Sequence, residues 1–159
     1  MRRTRMMVAV AIAATAALTL SATQADEPTD GEKAKVAILC PVSGKPVDQA
    51  HSLDYKEGKV SFCCPNCPKA FKKDTAKFAT KANRQLVKTE QYVQKACPVS
   101  GRDLNPAHTV EVSKVEVTFC CPNCKGKVAG LEGEKQLEAV FAEKPFTKAF
   151  EPKKKDDPA

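Results

Sequence analysis

The motif Phe62-Cys63-Cys64-Pro65-Asn66-Cys67 recurs letter for letter from Phe119 to Cys124, and this repetition constrains the chain more than any other feature. An offset of 57 residues also carries Cys40 onto Cys97 and His51 onto His108, so all eight cysteines and both histidines obey one register. Between Cys40–Cys67 and Cys97–Cys124, 14 of 28 positions are identical, including Cys-Pro-Val-Ser-Gly at each start, which identifies a tandem duplication.

Each unit has the same coarse pattern. Leu53-Asp54-Tyr55, the turn Lys56-Glu57-Gly58-Lys59 and Val60-Ser61-Phe62 alternate as a half-buried hairpin requires. In the second copy Val110, Val112, Val115, Val117 and Phe119 alternate around Ser113-Lys114. Past the last cysteine the period changes. Phe71, Thr75, Phe78, Ala82 and Leu86 recur at spacings of three and four, which predicts one amphipathic helix. Leu137, Val140 and Phe141 take that part in the second copy, behind a stretch loosened by Gly126, Gly130 and Gly133. Residues 85–95 read as helix end and linker. The expected fold class is α+β, with module one over residues 36–94 and module two over 95–150. A unit of this size hides only about 60% of its unfolded surface and is marginal on apolar burial alone.

The cysteines are the obvious further source of stability, and three chemistries compete for them. A disulfide framework suits an exported chain with an even cysteine count. Against it, eight cysteines are only about 6% of the residues left after leader removal, below the ~8–10% of disulfide scaffolds. Adjacent cysteines such as Cys63 and Cys64 also rarely bridge each other without strain. A thiol–disulfide oxidoreductase reading starts from Cys64-Pro65-Asn66-Cys67 at a strand-to-helix junction, where the helix dipole favours a thiolate. That reading leaves Cys40 and the extra neighbouring thiol without a role. Metal binding uses every cysteine. A C-x2-C turn with a proline aims two sulfurs at one point, and a remote cysteine completes the cage.

In this third reading, Cys40-Pro41-Val42-Ser43-Gly44 is a second knuckle whose inner cysteine has become serine. Cys40, Cys64 and Cys67 then supply thiolates, with Cys63 as alternate or additional donor, and Cys97, Cys120, Cys121 and Cys124 repeat the arrangement. Both members of a Cys-Cys pair can ligate only if the strand has already broken into the turn. His51 and His108 are further candidates because the duplication carries them. Zinc suits such a site, and soft, three-coordinate sulfur also suits copper(I), one ion per module. Zinc binding supplies on the order of 10 kcal/mol, the stability that so small a unit lacks.

Twenty-two residues separate Cys40 from Cys63 and three separate Cys63 from Cys67, a spacing that resembles TRASH domains. The wider frame, with the Cys-Pro-Val-Ser-Gly-Lys-Pro-Val-Asp start, the hairpin ending at Cys63-Cys64 and the Cys-Pro-Lys-Ala-Phe helix entry, is similar to the related YHS domain. The resemblance covers Cys40 to about Phe78 and, more loosely, Cys97 to about Phe141. It implies small treble-clef or zinc-ribbon-like modules that bind, sense or traffic heavy metals. It also implies ligand trios of Cys40, Cys63, Cys67 and of Cys97, Cys120, Cys124. YHS modules usually carry cysteine where Ser43 and Ser100 stand, and Val128 and Lys135 replace Phe71 and Phe78, so the second helix is expected to pack differently.

The flanks set the compartment. Arg2, Arg3 and Arg5, the apolar run Met6–Leu20 and the small residues near Ala25 read as a signal peptide over residues 1–25, followed by a polar leader over 26–35. The apolar run is short for a bilayer crossing, which needs about 20 residues, so no stable membrane span is expected after cleavage. The expected location is secreted or periplasmic. Removing the three arginines takes the formal charge from +7 to +4, too mild an excess to argue for nucleic acid. The expected partners are a metal ion and another metal-handling protein. Residues 151–159, with Lys153-Lys154-Lys155-Asp156-Asp157, read as a disordered tail. With no Ser-His-acid set, paired catalytic carboxylates or phosphate-cradling loop, no enzyme activity is expected.

Overall fold

A computed structural model describes residues 37–154; the expected signal peptide and polar leader lie outside the described residues. The chain is mixed α and β. In the first half, β1 (Asp48–Tyr55) and β2 (Gly58–Phe62) form an antiparallel hairpin followed by α1 (Asn66–Lys73) and α2 (Thr75–Lys88). The second half repeats this with β4 (Asn105–Val112), β5 (Val115–Phe119), α3 (Pro122–Ala129) and α4 (Gly133–Phe141), then adds α5 (Glu143–Ala149). A third two-stranded sheet joins β3 (Tyr92–Gln94), from the segment between the halves, to β6 (Phe150–Pro152). Two residues expected in a disordered tail, Glu151 and Pro152, are therefore paired, opposite Val93 and Tyr92. The expected 85–95 linker likewise contains a strand, β3.

The hairpins form where the alternation places them, and local chemistry fixes their register. Ser113 and Lys114 have φ of 49° and 68°, and a turn with both central residues left-handed matches the twist of the strands it joins. Each long strand slips register at the duplicated Ala-His, between Asp48 and Ser52 and between Asn105 and Thr109. An acceptor holds each irregularity: Asp48 Oδ1 takes the Ala50 amide at 3.0 Å, and Asn105 Oδ1 takes the Ala107 amide at 3.1 Å.

The single helix expected from Phe71 to Leu86 is two helices. Asp74 adopts φ −145°, ψ 70°, which ends α1, and its side chain accepts from the Lys77 amide to cap α2. Helix α2 packs on β2 in its own half and on β5, α4 and α5 of the other. The two halves thus share one core rather than forming separate bodies. Phe62, Phe71, Val60, Ala82 and Leu86 lie in it beside Phe119, Val128, Val140 and Phe141. Tyr92, Phe146 and Phe150 add an aromatic group across the β3–β6 pair and α5, with ring centroids 5.1 and 5.4 Å apart. Gly58 is a close approach: a Cβ there would meet Leu86 Cδ2 at 2.7 Å.

Two side-chain amides, the buried Gln85 and the part-buried Gln94, tie these elements to the cysteine loops. Gln85 Nε2 donates to the carbonyls of Leu39 and Ser61 at 3.0 Å each, while its Oε1 accepts from the Ser61 amide at 2.7 Å. Gln94 does the same for the second half, donating to Thr118 at 2.6 Å and Ala96 at 3.0 Å and accepting from the Thr118 amide at 2.9 Å. Leu39 and Ala96, like Ser61 and Thr118, are duplicate positions, but Gln85 and Gln94 are not: their counterparts are Ala142 and Ala37. The two halves obtain the same polar staple from different elements.

Gln85→Met removes one staple at nearly constant volume and leaves two carbonyls and an amide without their partner. Each such loss costs about 1–3 kcal/mol, so urea denaturation should show a destabilisation of roughly 2–4 kcal/mol. Gln94→Met, at a half-exposed position, should cost less.

Candidate metal centres

Each site is assembled from two loops. The first is the Cys-Pro-Val-Ser-Gly turn, closed by Gly44 N–H donating to Cys40 O at 2.9 Å and Cys40 N–H to Lys45 O at 2.8 Å. The copy matches, with Gly101 to Cys97 at 2.7 Å and Cys97 to Arg102 at 2.9 Å. The turn needs a left-handed residue at its fourth step, and Gly44 and Gly101 supply φ of 72° and 74°. The second loop is the break between strand and helix. Strands β2 and β5 end at Phe62 and Phe119, and Cys67 and Cys124 lie in the first turns of α1 and α3.

These loops bring together Cys40, Cys63 and Cys67, and in the copy Cys97, Cys120 and Cys124, with all sulfurs of each set within 4.8 Å of one another. The Cys63–Cys67 and Cys120–Cys124 separations are 3.6 and 3.7 Å. Sulfurs bonded tetrahedrally to zinc at about 2.3 Å lie about 3.8 Å apart, whereas a disulfide needs about 2.05 Å. All eight cysteines are free, and neither separation approaches that of a disulfide. Each set can hold one metal ion.

Cys64 and Cys121 stand at the edge of these sets. Because the strand has ended, the adjacent cysteines no longer point to opposite faces. Cys64 Sγ approaches Cys67 Sγ at 3.4 Å, and Cys121 Sγ approaches Cys120 Sγ at 3.7 Å. Neither belongs to the mutually close trio. His51 and His108 occupy the slipped segments of β1 and β4 and are in neither set. The serines at the altered knuckle positions do reach the sulfurs: Ser43 Oγ is 3.0 Å from Cys63 Sγ, and Ser100 Oγ is 3.1 Å from Cys120 Sγ. Each hydroxyl already accepts a backbone amide, from Lys45 and Arg102, so its own proton is free to point at sulfur. No spacing rule announced these serine contacts, but their place at a missing knuckle cysteine did mark them.

The sulfurs divide electrostatically. Burial opposes ionisation of Cys40, yet hydrogen bonds from the Ser43 side chain and from the Ser43, Cys63 and Val42 amides outweigh it and lower its pKa to about 7. Cys97 is lowered to about 6 by the matching donors against the same burial. Burial pushes Cys67 and Cys124 the other way, and the neighbouring sulfurs add to the rise. One thiol of each trio is therefore ready to ionise while another resists, first because burial penalises its charged form and then because of the sulfurs beside it. A divalent or soft monovalent cation removes that conflict by replacing the proton.

Cys64 and Cys121 have lowered pKa values, led by a side-chain contact from Cys67 in the first case and by the Cys124 amide in the second, and both are solvent-accessible. Iodoacetamide at pH 7 should therefore label them first in the reduced, metal-free protein. They should stay reactive after metal loading, when the trios are protected; peptide mapping reads the order. Protection of Cys64 in place of Cys63 would reassign the ligand. Zinc uptake should also release a proton from each of Cys67 and Cys124, so affinity should fall as pH is lowered from 8 to 6, measured by calorimetry in buffers of different ionisation enthalpy. Compared with known proteins, the chain matches no family model, no curated protein and no solved structure.

Proposed function

We propose that this chain is an exported heavy-metal-binding protein carrying one thiolate site per repeat, loaded with zinc or copper(I), and acting in metal binding, sensing or trafficking. The observation that carries this reading is the convergence of three sulfurs in each half from loops far apart in sequence. Nothing but a shared centre requires Cys40 and Cys67, and separately Cys97 and Cys124, to be placed this way twice. The order of knuckle, hairpin, second knuckle and helix supports assigning each half to the YHS and TRASH group of treble-clef-like modules. No catalytic role is proposed. Export is proposed from the basic and apolar leader at residues 1–25, with the periplasm or the extracellular space as destination and another metal-handling protein as exchange partner.

A three-sulfur site suits exchange. It leaves a coordination position for an incoming ligand, whereas closed structural zinc sites have four protein ligands. Cys64 and Cys121, partly exposed beside the trios, are placed to receive the ion as it enters or leaves.

Native mass spectrometry with thiol counting on protein from its own compartment tests the reading. Two metal ions that a chelator removes, unmasking eight alkylatable thiols, are expected. A metal-free chain eight protons lighter than the reduced form would sink it in favour of four disulfides. Cys67→Ser should abolish metal uptake in the first half and leave one ion per chain. Ser43→Cys should add a fourth sulfur and tighten zinc binding at that site, measured by competition with a chromophoric chelator.

A further inference from the structure

The two Cys-Pro-Val-Ser-Gly loops share sequence and turn geometry but are covered differently. Over the second, Lys148 of α5 lies against Gly101, where an added Cβ would meet Lys148 Cδ at 3.2 Å, and its Nζ donates to the Val99 carbonyl at 3.5 Å. Over the first there is no such cover: a Cβ placed on Gly44 meets nothing within 4 Å. Instead Cys40 and Gly44 border a cleft of about 430 Å³, walled by Lys81 and Arg84 of α2 and by Ser113-Lys114, the turn between β4 and β5. The cleft thus lies at the seam between the repeats, and its volume is within the roughly 300–1,000 Å³ of small-molecule sites.

Its charge is one-sided. Three of the lining side chains are cationic and none is acidic. Arg84 is half-buried, and the loss of solvent lowers its pKa, although a guanidinium stays charged at any ordinary pH. Its Nη1 donates to the Ser113 carbonyl at 3.1 Å, which uses one of five N–H donors. Among the described residues no carboxylate forms an ion pair with it. Lys81 does pair, with Glu134 at 3.1 Å, but both partners are substantially exposed and that contact is weak. A partly desolvated guanidinium without a counter-charge is costly, and an oxyanion in the cleft would offset that cost through paired N–H···O⁻ bonds.

We propose that this cleft binds a small oxyanion ligand, a dicarboxylate or a phosphate-like dianion, held chiefly by Arg84 and flanked by Lys81 and Lys114. Over the second knuckle the corresponding space is taken by the Lys148 side chain of α5. The proposal does not depend on metal in either cysteine set. Its ligand would rest on the loop that carries Cys40, so an occupied cleft would stiffen one knuckle and leave the other unchanged.

Nitrogen-15 amide spectra of the full reduced chain, titrated with sodium sulfate and separately with disodium succinate, provide the test, with sodium chloride at matched ionic strength as control. Saturable shifts are expected at the Gly44, Ser113 and Lys114 amides, with Gly101 as an unmoved internal reference. The anion that saturates at lower concentration identifies whether the site prefers a sulfate- or phosphate-like group or a carboxylate. Arg84→Gln should weaken binding about tenfold, the loss of a charge-assisted hydrogen bond. Should that variant fail to fold, Lys81→Gln with Lys114→Asn decides instead, since asparagine tolerates the left-handed turn position, and the pair should also weaken binding. Shifts that match the chloride control, stay linear, move Gly101 equally or persist at full affinity in the variants would overturn the assignment.

Discussion

Everything in this protein depends on the electrostatic problem of placing three thiols within 4.8 Å of one another. Such a group resists losing all its protons. Hydrogen bonds stabilise negative charge on Cys40 and Cys97, while burial and neighbouring sulfurs resist it on Cys67 and Cys124. The fold builds this conflict twice, with the duplicated residues in the same places. A cation held by the trio would relieve it, and the free energy of binding would also support a chain whose apolar core is modest.

Around this constraint the structure is organised as two sulfur loops held at fixed separation. Tight turns set the first loop, and the junction between hairpin and helix sets the second. The side-chain amides of Gln85 and Gln94 lock one to the other by pairing with Ser61 and Thr118 on the strands and with Leu39 and Ala96 just before the knuckles. These glutamines act like a strand edge, supplying donor and acceptor together. Each half draws its glutamine from a different element, α2 for Gln85 and β3 for Gln94, yet the paired backbone positions are the same.

The halves are alike at their sulfurs and unlike around them. Helix α2 serves both: it carries Gln85 toward the first site, Asn83 Nδ2 donates to the Phe141 carbonyl at 2.9 Å, and Arg84 and Lys88 hold the Ser113-Lys114 turn of the second half. Helix α5, without a counterpart in the first half, covers the second knuckle and leaves the first beside a cationic cleft. The duplication therefore yields two centres with the same donor set in different surroundings.

The sequence by itself determined the cysteine register, the two hairpins and the approximate helical segments, because hydrophobic alternation, turn residues and a repeat are local and survive without neighbours. It also singled out every residue of the two trios. The residues read alone favour Cys64 with Cys63 as alternate, and the family resemblance implies Cys63 and Cys120; the tertiary structure brings Cys63 and Cys120 into the trios and leaves Cys64 and Cys121 beside them, since that depends on where the strand ends and which way a bent backbone turns its side chains. The break at Asp74 could be read as a cap only once α1 and α2 were seen to part there. The histidines illustrate the opposite case: duplication made them look like ligands, yet Ala-His is repeated at a slip in strand register, outside both sulfur sets. The pairing of β3 with β6, the shared core and the cleft beside Arg84 join residues distant in the chain, and no periodicity within a single segment encodes such contacts.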